Sequence, residues 1–320
     1  GQRLFDLAQA EYWIGSVAWR QGRLDDAEVW LTKYRDSAIS LAAMDPGNFD
    51  WQREVGYGHH NLAVLDDARG RSVEAERALQ QELALYRQWL QQRPRDTLLR
   101  SEAADVASWL GTISSRRGAL TDAEAFFAEQ VERQQRNIVD EPDVALWQAE
   151  QVDALLLLTQ AQIRRGRWDD AGTSLALASP PAAELARRDP DNNGWQVALG
   201  IVRYLEAQLR LASDSAAADL LAAESVGILI QARRVEPDNE RILRWLAMAH
   251  HLQTQVALAR GNVVLAREHL ADAEAFLAPA WKAQQNETMR LVHAQHLQLS
   301  GESASMASDA EAAATAWRQA

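Results

Sequence analysis

Four prolines stand at one interval. Pro46, Pro94, Pro142 and Pro190 are each separated by 48 residues, and Pro237 follows 47 later. A glycine series, Gly22, Gly70, Gly118 and Gly166, keeps the same spacing, skips to Asp214 and resumes at Gly261. A fixed period of this length means one supersecondary unit stacked on copies of itself, which constrains the architecture before any local reading.

The residues around the marks say what the unit is. Each of the first four glycines has a basic residue just before it and an acidic one within the next turn, as in Arg20-Gln21-Gly22-Arg23-Leu24-Asp25-Asp26 and Arg164-Arg165-Gly166-Arg167-Trp168-Asp169-Asp170. Glycine tolerates the left-handed conformation that ends a helix. Basic groups suit the negative end just before it, and acidic groups suit the positive end that follows. Proline stops the other helix, and two residues later Asn48, Asp96, Asn192 or Asn239 stands as an N-cap, with Val144 breaking the series. Between the marks apolar residues step by three and four, as in Leu99, Ala103, Val106, Leu110 and Ile113, with no strand-like alternation. Each unit is therefore a helical hairpin of two helices of about 20 residues joined by short turns. Seven are expected, over approximately 1–46, 47–94, 95–142, 143–190, 191–237, 238–285 and 286–320, as one array across 1–320. Irregular structure is expected at Asp214, at Pro180-Pro181, and in the Ser- and Ala-rich stretch 301–316.

Composition narrows function by exclusion. A net charge of −12 without a basic run disfavours nucleic acid and anionic membranes as partners. The longest apolar run, 154–158, is far short of a membrane span, so direct insertion is not expected. The chain has no cysteine, which removes disulfides, thiolate catalysis and Cys-based zinc sites, and leaves cytoplasm and periplasm equally open. No phosphate loop, nucleophile elbow or triad-like arrangement occurs, and the acids Asp25-Asp26 and Asp169-Asp170 lie where helices begin. No catalytic residue and no cofactor is expected.

Small residues carry a further pattern. Five residues after each turn glycine stand Ala27, Ala75, Ala123, Ala171 and Ala266. Four later stand Leu31, Leu79, Phe127, Leu175 and Leu270, and seven before the glycine stand Gly15, Ala63 and Gly111. This resembles the tetratricopeptide repeat, which has small residues at the helix crossing, Ala in the second helix, a large apolar residue four later and a closing Pro. The period here is 14 residues longer, about one heptad per helix, and a heptad returns the apolar stripe to nearly the same face. The phrases around Pro46 and Pro190, running to Trp51-Gln52 and Trp195-Gln196, also resemble long-repeat arrays of multidomain bacterial signalling and defence proteins. The resemblance implies an all-α, right-handed α-solenoid of about seven antiparallel helical hairpins that recognises a protein or peptide segment. The start at Gly1, near where an earlier proline turn would fall, suggests a segment of a longer protein serving as sensor or adaptor.

On that resemblance first helices line a concave face, and the pattern carries ligand contacts onto Tyr12, Trp19, His60, Asp67, Ser108, Arg116, Gln160, Arg164, Tyr204, Gln208, His251 and Gln255. Amides and Arg there would bond a peptide backbone, while rings and carboxylates would anchor its side chains. Trp51, Trp147 and Trp195 recur five residues after a proline and read as packing between repeats. Of the adjacent pairs His59-His60 and His250-His251, one histidine each is expected in the core and one outside, since neighbours on a helix point about 100° apart. His293 and His296, with Glu287 or Glu302, have metal-ligand spacing, but no HExxH-type array accompanies them and no metal is expected. Two rival readings stay open: an α-toroid enzyme with paired carboxylates acting on a carbohydrate-like substrate, and a homo-oligomerisation module built on uncapped solenoid ends.

Overall fold

The structure, a computed structural model, describes residues 1–283 and 287–320, with side chains 279–288 left aside, so Glu287 lies outside the described side chains. The chain divides into two units, Gly1–Gly166 and Arg167–Ala320. Unit 1 holds α1 (Gln2–Arg20), α2 (Leu24–Met44), α3 (Phe49–Ala68), α4 (Ser72–Gln92), α5 (Thr97–Arg116), α6 (Leu120–Asp140) and α7 (Ala145–Arg164). Unit 2 holds α8 (Trp168–Arg188), α9 (Asn193–Arg210), α10 (Ser215–Val235), α11 (Glu240–Ala259), α12 (Val263–Ala283), α13 (Glu287–Met306) and α14 (Ala310–Gln319). Among the described residues there is no strand. Within each unit helices pack on their neighbours in sequence, and in unit 2 also α9 on α11 and α11 on α13. Contacts confined to near neighbours along the chain make the fold an all-α helical-repeat solenoid.

The two kinds of turn form as their residues dictate. Gly22, Gly70, Gly118, Gly166 and Gly261 all take φ between 72° and 78°. At the first of them Arg23 N–H donates to Ala18 O at 2.9 Å and Gly22 N–H to Trp19 O at 2.8 Å, so the last carbonyls of α1 are satisfied. At the proline turns the side chains of Asn48, Asp96, Asn192 and Asn239 accept from N–H groups at the start of α3, α5, α9 and α11. Val144 makes no such bond. Arg100, 4% exposed, pins one proline turn from inside, donating to Asn137 Oδ1 at 2.9 Å and to Pro94 O and Asp140 Oδ2 at 2.7 Å each.

The hairpins close on the small residues. A Cβ on Gly15 would lie 2.8 Å from Leu31 Cγ, and one on Gly111 would lie 2.6 Å from Phe127 Cε1. Ala63 and Leu79, the corresponding pair, are both buried in the α3–α5 core with Ala75, Leu83 and Tyr86. Gly200 meets Leu229 in the same way in unit 2.

Several expectations are corrected. Helix α8 runs unbroken through Pro180 and Pro181. Leu175, Ala178, Ala182 and Leu185 are buried on either side while Pro180 is exposed, so packing holds the axis across the missing donors. The stretch 301–316 is mostly helical: α13 continues to Met306, and Ser308 at φ 63° stands where a glycine would mark the turn before α14. Asp214 does mark an irregular turn, ending α9 early and capping α10 by accepting from Ala217 N–H at 3.0 Å. Of the tryptophans Trp147 is buried, its Nε1 donating to Glu141 at 2.7 Å, whereas Trp51 and Trp195 are half-buried. The histidine pairs do not divide: His250 and His251 are both buried and His59 and His60 both partly so, because α11 is enclosed on several faces. Helix α10 has a mean hydropathy of 1.3 and the length to cross a bilayer. Here it packs on α9 and α11, with Ser225 Oγ donating to Gly200 O at 2.8 Å.

Two glycine substitutions test the crossing. Gly111→Ala should lower stability by about 1–3 kcal/mol through overpacking against Phe127. Gly172→Ala, inside α8 with no atom within 4 Å of the new Cβ, should raise it by about 0.5–1 kcal/mol. Thermal melts followed by circular dichroism report both signs.

Candidate functional site

The same period that sets the turns sets a row of carboxylates in unit 1. Glu54 on α3, Glu102 on α5 and Glu150 on α7 are 48 residues apart and occupy one position of successive first helices. Each accepts from two donors. Glu54 Oε2 takes Tyr34 Oη at 2.6 Å and Gln9 Nε2 at 2.9 Å. Glu102 Oε1 takes Tyr57 Oη at 3.0 Å and the Arg53 guanidinium. Glu150 Oε2 takes Ser101 Oγ and Gln134 Nε2 at 2.7 Å each. All six donors lie on the two helices of the repeat before the acceptor's own, so each acid ties a repeat to the one before it. Charge-assisted bonds of this kind are about twice as strong as neutral ones.

More acids gather beside this row. His60 Nδ1 lies 3.1 Å from Glu82 Oε2, and the His60 ring meets Trp109 edge-on at 6.0 Å. Burial alone would lower the His60 pKa, but the bond and charge of Glu82 outweigh it and raise it. Glu82, only 2% exposed, is pushed up by burial against the pull of His60. Asp105 keeps contact with solvent, yet desolvation by the surrounding helices pushes its carboxyl up to about 6. Glu150, Glu102 and Glu82 add to that shift and His60 opposes it. Burial raises the Glu150 carboxyl, the bonds from Ser101 and Gln134 oppose the shift, and the charge of Asp153 adds a little to it. Around Arg53 and His60 the face thus carries Glu54, Glu82, Glu102, Asp105, Glu150 and Asp153, an excess of negative charge.

The residues expected from the sequence fall in several places. Asp67 and Arg116 meet as an ion pair, and Arg164 donates to Ser115 Oγ. Tyr12 packs between the rings of Trp13 and Tyr34, at 5.3 and 5.5 Å, and Trp19 is 38% exposed near the end of α1. Ser108 is half-buried, and Gln160 folds back to donate to Leu156 O at 2.9 Å. In unit 2 Tyr204, Gln208 and Gln255 line one cavity of about 470 Å³ together with Trp168, Met248 and Leu252. Tyr204 shows only 4% of its surface, its ring 5.2 Å from Trp245. His251 is fully buried, its Nε2 3.2 Å from His296 Nδ1, and burial pushes its pKa down to about 3. A side chain enclosed to that degree presents nothing to a peptide in a groove. The carboxylate row was missed by the sequence reading, although its 48-residue spacing was there to be found.

No family model matches the chain, and no curated protein matches it. Solved structures do. BtubC (BKLC) from P. vanneervenii aligns at a TM-score of 0.58 with 16% identity, covering 82% of this chain and 94% of that one. The apo form of RapI aligns at 0.54 with 6% identity, covering 82% and 95%. A tetratricopeptide repeat protein from Parabacteroides merdae spans 100% of this chain and 92% of its own length at 12% identity, with a TM-score of 0.46. At such identities the likeness concerns the fold alone, an all-α helical repeat.

Asp105 has a pH signature. Its folded pKa lies above the ordinary carboxylate value of 3.8, so the native state carries the full cost of the charge above about pH 6 and sheds it as pH falls toward about 4. Asp105→Asn should therefore raise stability at about pH 7.5 by about 1 kcal/mol, a figure discounted for its exposure, and leave it unchanged at about pH 4. Melts at the two pH values check the difference.

Proposed function

We propose that this tetratricopeptide-like helical-repeat chain is a non-catalytic protein-binding scaffold whose first-helix face in unit 1 receives an extended segment rich in Lys or Arg. The observation that carries the reading is the repeated carboxylate position, Glu54, Glu102 and Glu150, with Asp105 and Asp153 beside it. A row of like charges at successive repeats meets successive side chains of an extended ligand, and repeat proteins offer such extended surfaces. The acids are held in place by Tyr34, Tyr57, Ser101 and Gln134, so little side-chain freedom is lost when a cation docks. Relief of the mutual repulsion around Asp105 adds to the attraction. Arg116 and Arg164, fixed by Asp67 and Ser115, supply donors to peptide carbonyls at the ends of α5 and α7. Such a scaffold serves as the sensor or adaptor segment of a larger bacterial signalling or regulatory protein.

Fluorescence anisotropy with two labelled peptides, one alternating Lys and Gly and one alternating Glu and Gly, tests this. The Lys peptide should bind and weaken as salt rises, and the Glu peptide should not bind. Combined Glu102→Gln and Asp105→Asn should weaken Lys-peptide binding by about fivefold or more, with the protein still folded by circular dichroism. Equal binding of both peptides, or no loss in the double variant, overturns the assignment.

A further inference from the structure

His250 is an anomaly in unit 2. It lies on α11, is 4% exposed, and neither of its ring nitrogens has a hydrogen-bond partner. The amide of Gln253, one turn on, is near enough to bias the ring but does not meet hydrogen-bond geometry. A buried imidazole with both nitrogens unpaired forgoes the bonds that offset its desolvation, and such groups in folded proteins call for an explanation.

The neighbours of the ring supply one. On α12, which packs against α11, His269 and Asp272 stand three residues apart and so share a helix face. One ligating atom from each of His250, His269 and Asp272 lies within 4.8 Å of the others. Ligand atoms around a tetrahedral ion with bonds of about 2.0–2.1 Å are about 3.3 Å apart, so closure needs each separation to shrink by no more than about 1.5 Å. That is within the reach of rotamer adjustment at His269, which is half-buried, and Asp272, which is exposed. On the inner side the His250 ring stacks on Phe276 at 5.8 Å and lies 6.1 Å from the His269 ring. The set therefore runs from an apolar interior to the surface, with a fourth position facing solvent.

We propose that His250, His269 and Asp272 form a binding site for a divalent transition-metal ion of the Zn²⁺ class, clasping α11 to α12. Two imidazoles and one carboxylate suit a borderline cation, whereas Mg²⁺ and Ca²⁺ take all-oxygen shells. The ion accepts a lone pair from a nitrogen of His250 that has no other partner, and it joins two helices that otherwise meet through apolar contacts such as Leu258 with Ala266 and Leu270. His293 and His296, whose spacing suits metal ligation but at which no metal was expected, are not part of this set.

Isothermal titration of the whole chain with Zn²⁺, with Co²⁺ as an absorbing substitute and Mg²⁺ as control, tests the site. One Zn²⁺ per chain should bind, Co²⁺ should give the intense visible bands of a four-coordinate centre, and Mg²⁺ should give no heat. Zn²⁺ should also raise the melting temperature. His269→Gln and Asp272→Asn sit at the rim and should leave the fold intact while weakening Zn²⁺ binding by about tenfold or more. His250→Asn should do the same, and because its position is buried the two rim variants decide the matter if it fails to fold. No saturable Zn²⁺ binding by the unaltered chain, or undiminished binding in both rim variants, overturns the proposal.

Discussion

The whole arrangement depends on how closely two helices of a hairpin can approach. At Gly15 and Gly111 the absence of a side chain lets Leu31 and Phe127 enter the first helix to within a distance that a methyl group would forbid. Ala63 does the same for Leu79 with the smallest side chain that still favours a helix. A small-to-large contact repeated at one register fixes the depth of each hairpin. It also fixes the rotation of the first helix about its axis, since only one face can bring the small residue inward.

That rotation decides where everything else points. Once Gly111 faces Phe127, Glu102 sits more than two turns earlier on α5 where Tyr57 and Arg53 of the previous first helix can reach it. The equivalent turn puts Glu54 against Tyr34 and Gln9, and Glu150 against Ser101 and Gln134. The donors differ in kind but the acceptor does not. Stacking thus converts a sequence period into a row of charge, and the hydroxyls and amides that hold the row in place are drawn from the neighbouring repeats. The cost is desolvation with mutual repulsion added to it, visible in the raised carboxyls of Asp105 and Glu150.

Unit 2 uses polar side chains differently. Helix α11 buries most of its circumference, including His250, His251, Gln253 and Thr254. Thr254 bonds within its own helix and His251 Nε2 meets His296, while His251 Nδ1, Trp245 Nε1 and both nitrogens of His250 have no hydrogen-bond partner. An enclosed helix of this kind trades packing against unmet polar groups, and the sites where that balance fails are the ones at which a ligand can be accommodated with net gain.

Much of the fold was legible in the sequence. The positive-φ glycines, the Asn and Asp caps and the small residues at the crossings were all visible as residue types at a fixed spacing, because each acts through its own backbone or its own turn. The failures have one cause. Pro180 and Pro181 looked like a break because local propensity disfavours them, and burial of Leu175, Ala178, Ala182 and Leu185 overrode it. Ser308 hid a turn because the chain can hold a serine in the left-handed region when the helices on both sides are packed. Among candidate site residues, the sequence determined which positions are equivalent in successive repeats, and therefore that Glu54, Glu102 and Glu150 share a fate. Only the tertiary structure decided which equivalent positions face solvent. His251 and His60 belong to similar phrases, yet one is sealed in a core and the other rests on Glu82, since a side chain's direction depends on the rotation of its helix against neighbours that no local pattern specifies.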